Sequence, residues 1–91
     1  GIVTVYQGTL TESLIPTDGF DLVVANVSGK VVSELAIDMI SALRPGGRII
    51  ASGILDARQE SVRQALASAG AVIESGVIDG DWIALVATKG A

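Results

Sequence analysis

The groups of this sequence that could do chemistry are amides, hydroxyls, carboxylates and lysines, because the chain contains no histidine and no cysteine. The missing histidine removes the commonest general base and zinc ligand. The missing cysteine removes disulfides and thiol chemistry. No spacing forces two carboxylates together, so the sequence supports neither acid–base hydrolysis nor a metal site. Any reaction must therefore use the remaining polar groups or a bound cofactor.

Small or polar residues follow three predicted strands, at the point where each strand ends. They are Gly8-Thr9 after residues 2–6, Asn26 at the end of residues 20–26, and Ser52-Gly53 at the end of residues 48–52. In open parallel sheets, ligands bind beyond the carboxyl ends of the strands. Each position also has a simpler interpretation as a turn, and for Asn26 that is an amide bonding its own turn. The pattern leaves both interpretations open.

Other polar residues favour structural roles. Ser28-Gly29-Lys30 looks like part of a phosphate-binding loop but lacks the spacing G-x-x-x-x-G-K-[ST], and we discount it. Asp56, with Gln59 three residues later, predicts the N-cap of a helix rather than a catalytic carboxylate. Asp79-Gly80 predicts a tight hairpin. Trp82 is typical of a packing residue that covers the second helix or a sheet edge.

The stretch Phe20–Asn26 is a nearly continuous apolar run between turn residues, which predicts a central strand buried on both faces of a parallel sheet. Ser28 predicts the N-cap of a helix over 29–43, which Pro45-Gly46-Gly47 would end, with a structural role at the opposite edge of the sheet. The other predicted elements are strands over 2–6 and 48–52, a single helical turn near 11–15, a helix between Asp56 and Gly70, a strand over 71–78 bulged at Gly76, and a strand over 81–88. Strands that alternate with helices and end in a hairpin indicate a mostly parallel α/β sheet of about five strands.

Composition limits the possible partners. Ninety-one residues make one domain, and a content of 49% hydrophobic residues with few aromatics predicts a core of aliphatic side chains. The net charge of −4 argues against direct binding of nucleic acid or of anionic membranes. No apolar run is long enough to span a membrane, and no signal peptide is visible. These features are consistent with a cytoplasmic protein.

The combination of three segments resembles the PrmA-type S-adenosylmethionine-dependent methyltransferases, which modify a protein of the large ribosomal subunit. The segments are Asp21-Leu22-Val23-Val24-Ala25-Asn26, Ser52-Gly53-Ile54-Leu55 and Asp81-Trp82-Ile83-Ala84-Leu85-Val86-Ala87. The resemblance runs from about residue 5 to 89. It implies the carboxyl-terminal part of a Rossmann-like catalytic domain, whose strands are the third to the seventh of a sheet with the order 3-2-1-4-5-7-6.

The resemblance also implies the site and the reaction. Asn26 corresponds to an asparagine that contacts the methionine end of S-adenosylmethionine and aligns the incoming amine, which makes it both catalytic and cofactor-binding. Gly8 and Thr9 correspond to a loop near the adenine. The implied partner is a ribosomal protein. In-line methyl transfer to a neutral amine requires positioning and exclusion of water, and it needs neither histidine nor cysteine.

The sequence departs from the family in ways that set further expectations. Residues 1–19 contain no glycine-rich cofactor loop, and Val27-Ser28-Gly29-Lys30 replaces the usual Ile-Leu-Ala. We therefore expect the isolated chain to be inactive and to bind S-adenosylmethionine weakly or not at all. The alternatives are a non-catalytic assembly module and, with less support, a different nucleotide-binding half-domain. Strand 20–26 would have an open edge, which either strand 2–6 or a second copy of the chain, as a homodimer, would cover.

Overall fold

The computed structural model describes residues 2–5 and 19–90 and confirms the predicted order of strands and helices. Its elements are β1 (Ile2–Val5), β2 (Phe20–Asn26), α1 (Gly29–Ala42), β3 (Leu43–Leu55), a short 3₁₀ turn (Asp56–Arg58), α2 (Gln59–Ser68), β4 (Ala71–Asp79) and β5 (Trp82–Lys89). The helical turn predicted near 11–15 lies outside the described residues. A two-residue turn at Gly80-Asp81 joins β4 to β5, as the Asp79-Gly80 pair predicts.

The five strands form one sheet in the order β1-β2-β3-β5-β4. The first three strands are parallel, and β5 runs antiparallel between β3 and β4. β1 pairs directly with β2, from Ile2 opposite Leu22 to Val5 opposite Ala25. This pairing confirms the first of the two expectations for the open edge of β2. The mostly parallel α/β architecture with a carboxyl-terminal antiparallel hairpin is confirmed.

Both helices pack on the same face of the sheet and contact each other. In β2 the side chains of Val23 and Ala25 are fully buried beneath them, whereas the alternate Leu22 and Val24 are only partly buried. The prediction that β2 is buried on both faces is therefore wrong for one face. No described helix covers the other side, which we call the helix-free face. Its partly buried aliphatic side chains are Leu22, Val24, Ile50, Ala84 and Val86.

Helix α1 begins where its cap was predicted. The Ser28 hydroxyl accepts a hydrogen bond from the backbone N–H of Val31 at 3.4 Å, and the backbone carbonyl of Ser28 accepts from Val32 at 3.0 Å. The helix ends at Ala42, one residue earlier than predicted. Val32, Ala36, Met39 and Ile40 face the core, and the helix starts at the carboxyl edge of the sheet, next to Asn26.

Removing this cap gives a first prediction. Ser28→Ala should lower the free energy of unfolding by about 1 kcal/mol, because an N–H group of the first turn loses its acceptor. Ser41→Ala is the matched control: Ser41 is exposed in the last turn of α1 and caps nothing, and alanine favours a helix, so stability should hold or rise slightly. Urea denaturation measures both. Equal losses for the two variants would show that Ser28 does not act as the cap.

After α1, the first residues of β3 do not pair regularly with β2. Phe20 pairs with Leu43 but Leu22 pairs with Arg48, so the chain from Arg44 to Gly47 bulges out at the amino end of β3. A Cβ on Gly47 would lie 2.9 Å from the backbone oxygens of both Arg44 and Phe20. Arg44 also pairs with Asp21. These contacts support the structural role predicted for Pro45-Gly46-Gly47.

The second helix does not begin at its predicted cap. Asp56 starts the 3₁₀ turn, and α2 begins at Gln59, preceded by Arg58, which makes no side-chain capping bond. The backbone N–H of Asp56 donates a hydrogen bond to the carbonyl of Asp81 at 2.8 Å. The Asp56 carboxylate accepts a hydrogen bond from the Gln59 side-chain amide. The Asp–Gln spacing therefore forms a side-chain pair instead of a capping box, because the tighter 3₁₀ turn delays the helix.

The bulge predicted in the fourth strand is displaced by two residues. Ile73 pairs with Ala87 and Ser75 with Val86, so Glu74 is the extra residue and Gly76 is regularly paired with Leu85. A Cβ on Gly76 would lie 3.0 Å from the Arg63 guanidinium and 3.2 Å from the Leu85 side chain. A side chain at position 76 would require the ends of the flexible Arg63 and Leu85 side chains to shift, so Gly76 allows them to lie close to the strand, a role that sequence alone cannot separate from a bulge.

Candidate functional site

A cavity of about 570 Å³ opens at the carboxyl edge of the parallel strands. The end of β2, the start of α1, the end of β3, the 3₁₀ turn and the start of β5 all contribute to its walls. The lining residues are Asn26, Val27, Ser28, Gly29, Lys30, Gly53, Leu55, Arg58 and Trp82. This volume lies within the range of about 300–1,000 Å³ that is typical of small-molecule sites. The cavity is where the sequence placed the ligand edge of the sheet.

Asn26 is the last residue of β2 and lies beside Ser52 of β3. Its side chain is exposed and makes no hydrogen bond within the described part of the chain. The interpretation of Asn26 as an amide that bonds its own turn is therefore wrong. The amide is left available to a ligand in the cavity.

The Asn26 side chain lies against Gly53, in space that a larger side chain at position 53 would narrow. Its φ of +79° lies in the left-handed region, and a Cβ added there would lie 3.1 Å from the Asn26 side-chain oxygen and 3.3 Å from the carbonyl of Val27. Because glycine carries no Cβ, β3 can depart from regular pairing with β5 between Ala51 and Ile54 while the Asn26 amide lies directly against Gly53. Ser52 is partly buried and is not among the lining residues, so only Gly53 of the predicted Ser52-Gly53 pair lines the cavity.

The other predicted positions have different outcomes. Gly8 and Thr9 lie outside the described residues. Ser28, Gly29 and Lys30, which the spacing argument discounted, line the cavity because α1 starts directly beside Asn26. They do so without the loop geometry of a phosphate-binding motif.

Trp82 forms a wall of the cavity that sequence reasoning missed. It was expected to pack, yet 53% of its surface is exposed. The hairpin places it at the start of β5, where it pairs with Leu55 at the end of β3. An indole paired with a leucine contributes apolar surface to the cavity that the amide of Asn26 also lines. The strand order implied by the resemblance, with the seventh strand beside the fifth, already contains the pairing of β5 with β3 that sets this position.

The described residues limit other chemistries. Within residues 2–5 and 19–90, no group of three or more Asp and Glu side chains could hold a metal ion together. In the same part of the chain, neither helix has the length and apolar character needed to cross a bilayer.

Comparison with known proteins identifies the family. The sequence profile described as ribosomal protein L11 methyltransferase (PrmA) matches residues 2–90. A protein of that name from Listeria monocytogenes serotype 4b is 42% identical over 89 residues. The chain belongs to the ribosomal protein L11 methyltransferase family. The resemblance carried by the segments around Asn26, Gly53 and Trp82 is therefore confirmed.

The chain corresponds to only a part of its relatives. It spans 28% of the length of the Listeria protein, of which it matches the carboxyl-terminal part. The crystal structure of ribosomal protein L11 methylase from Lactobacillus delbrueckii subsp. bulgaricus superposes with a TM-score of 0.75 at 32% identity, covering 80% of this chain and 38% of that one. A Thermus thermophilus 16S rRNA methyltransferase solved with AdoMet and guanosine superposes with a TM-score of 0.58 at 20% identity, covering 81% of this chain and 21% of that one; this likeness shows the fold alone.

Proposed function

We propose that this chain forms the acceptor side of an S-adenosylmethionine-dependent methyltransferase that acts on an amine of ribosomal protein L11. The observation that carries the proposal is the unbonded amide of Asn26, held against Gly53 at the opening of the cavity. The relatives that this chain matches are named ribosomal protein L11 methyltransferases. The chain itself spans about a quarter of their length, so the activity is proposed for the protein that contains it.

The proposed reaction is an in-line displacement. The lone pair of a neutral amine attacks the methyl carbon of the sulfonium, the carbon–sulfur bond breaks with both electrons going to sulfur, and the methylated ammonium then loses a proton to solvent. The amide oxygen of Asn26 accepts a hydrogen bond from the amine and aligns its lone pair with the methyl group. Positioning of this kind supplies a large part of the rate in two-substrate reactions.

The walls of the cavity suit this acceptor. Trp82 and Leu55 provide apolar surface on which the alkyl part of an amine side chain can lie, while Asn26 engages the nitrogen. Gly8 and Thr9 remain proposed contacts to the adenine of S-adenosylmethionine, by their correspondence to the family. Action on a ribosomal protein places the proposed enzyme in the cytoplasm, with no direct contact to nucleic acid.

The sharpest test of the proposal is a chimaera. The carboxyl-terminal region of the Listeria relative is replaced by this chain, and transfer of labelled methyl groups to ribosomal protein L11 is measured. We expect the chimaera to be active and Asn26→Ala to lower kcat by at least about tenfold, because the amine loses its aligning contact. Gln64→Ala, on the exposed side of α2, is the control and should change nothing. An active chimaera in which Asn26→Ala keeps the full rate would contradict the role of Asn26.

The isolated chain gives a second measurement. We expect calorimetry with S-adenosylmethionine to show a dissociation constant above about 1 mM, because residues 1–19 carry no glycine-rich cofactor loop. Micromolar binding would contradict this expectation.

A non-catalytic assembly module is the second candidate, and the helix-free face is the observation that favours it. Val72 and Val77, on the edge strand β4, are 64% and 65% exposed, next to the partly buried aliphatic side chains of that face. A homodimer formed through this surface or through the sheet edge would be seen by size-exclusion chromatography with light scattering. A stable dimer combined with an inactive chimaera would favour the module over the enzyme.

A further inference from the structure

Two of the six cationic side chains of the sequence line the cavity, and within residues 2–5 and 19–90 they are the only two without a hydrogen-bond or ion-pair partner. Within the described residues, Arg44 pairs with Asp21, Arg48 with Glu74, Arg63 with Gln59, and Lys89 with the carbonyl of Leu43. Lys30 and Arg58 make no side-chain hydrogen bond or ion pair in that same part of the chain. The chain carries a net charge of −4, yet none of the described residues that line this cavity is a carboxylate.

The fold brings these two cations to neighbouring positions. Lys30 is the second residue of α1, and the residue before it, Gly29, is buried against the 3₁₀ turn. A Cβ on Gly29 would lie 3.1 Å from the Cβ of Arg58 and 3.4 Å from Ile54. The turn that holds Arg58 is itself fixed by the 2.8 Å bond from the Asp56 N–H to the Asp81 carbonyl. The close contact at Gly29 therefore brings the start of α1, with Lys30, next to the turn that carries Arg58, and both side chains line the cavity.

We propose that Lys30 and Arg58 form a carboxylate-binding subsite of this cavity. A guanidinium presents paired donors that match a carboxylate, and an ammonium adds a point charge beside it. Charges around a cavity of this size act on a bound group over about one Debye length at 0.1 M salt, so their effect is only partly screened. This inference rests on the proposed function, because that function supplies two ligands with a carboxylate that could bind here. They are the methionine end of S-adenosylmethionine and an acidic side chain beside the acceptor amine.

Paired ligands that differ only in the carboxylate test the subsite without any methyl transfer. The first pair is S-adenosylmethionine and its decarboxylated analogue, and the second is the peptides acetyl-Glu-Lys-Glu-amide and acetyl-Gln-Lys-Gln-amide. Dissociation constants come from NMR titrations of the labelled 91-residue chain, up to about 10 mM ligand. We expect the acidic member of at least one pair to bind about tenfold tighter, and Lys30→Gln or Arg58→Gln each to reduce that preference by about threefold.

The variants and controls separate the outcomes. Both substitutions replace exposed, unpartnered side chains, so the fold should be retained, which the same spectra check. Arg63→Gln, whose side chain already bonds Gln59, should leave the preference unchanged. A preference confined to the first pair assigns the subsite to the cofactor, and one confined to the second assigns it to the acceptor. No preference in either pair, no binding of any probe, or an equal loss in Arg63→Gln would overturn the proposal.

Because no turnover is measured, this result is distinct from that of the chimaera. An inactive chimaera together with a preference that Lys30→Gln and Arg58→Gln remove would contradict the proposed function and leave the subsite standing. An active chimaera in which neither pair shows a preference for the carboxylate would support the proposed function and contradict the subsite.

Discussion

Gly53→Ala should lower the free energy of unfolding by about 2 kcal/mol and reduce methyl transfer by the chimaera about tenfold, no more than Asn26→Ala does. The loss of stability follows from the backbone, because a φ of +79° is strained for any residue with a Cβ. The loss of activity follows from the neighbour. The new methyl group would lie 3.1 Å from the Asn26 oxygen, so the amide must move away from the position in which it aligns the amine.

Gly80→Ala separates the two effects of Gly53→Ala. Gly80 has a φ of +61° in the β4–β5 turn, but a Cβ there would meet no atom within 4 Å. It should show only the backbone cost, about 1 kcal/mol, with methyl transfer unchanged. Urea denaturation of the chain and turnover of the chimaera measure both variants. If the two substitutions reduced turnover equally, the contact between Gly53 and Asn26 would not position the amide.

The largest expected loss of stability is that of Leu85→Ala, about 3 kcal/mol. Leu85 is fully buried on β5, between Ala51 of β3 and Gly76 of β4, on the face that the helices cover. Truncation removes its transfer free energy and leaves a cavity that the rigid sheet cannot close. The effect should appear as a lower denaturation midpoint with an unchanged slope.

Ile37→Ala provides the comparison for this core substitution. Ile37 lies on the outer side of α1 and is 70% exposed, so its truncation should change stability by less than about 0.5 kcal/mol. A loss in Ile37→Ala that matched the loss in Leu85→Ala would show that the outer side of α1 is buried in solution, for example against a second copy.

Local patterns predicted the elements well, and long-range pairing explains what they missed. The apolar run of Phe20–Asn26 and the serine before α1 each carry their signal within a few residues. The strand and the cap are confirmed, although β2 is buried on one face only. The capping role given to Asp56 failed because its N–H is used by Asp81, a partner 25 positions away. The bulge was predicted two residues too late for a similar reason, since its place at Glu74 is set by the pairing of β4 with β5.

The site shows the same division. Asn26 could be predicted because strand ends in a parallel sheet share one edge, and its position depends only on β2. Arg58 could not, because its place beside Asn26 depends on the 3₁₀ turn that precedes α2, whereas the positions of Leu55 and Trp82 follow from the strand order that the resemblance implies. The family resemblance indicated Asn26, Gly8 and Thr9, but it did not indicate the two unpaired cations.

The helix-free face has a consequence for how this polypeptide behaves at high concentration. Its aliphatic side chains are kept apart in solution mainly by electrostatic repulsion between molecules, which depends on the net charge of −4. That repulsion vanishes as the pH approaches the isoelectric point near 4.4, while the apolar attraction between exposed faces remains. Precipitation in mild acid would therefore reflect colloidal instability of a folded chain, and the helices beneath the opposite face would remain intact in the precipitate.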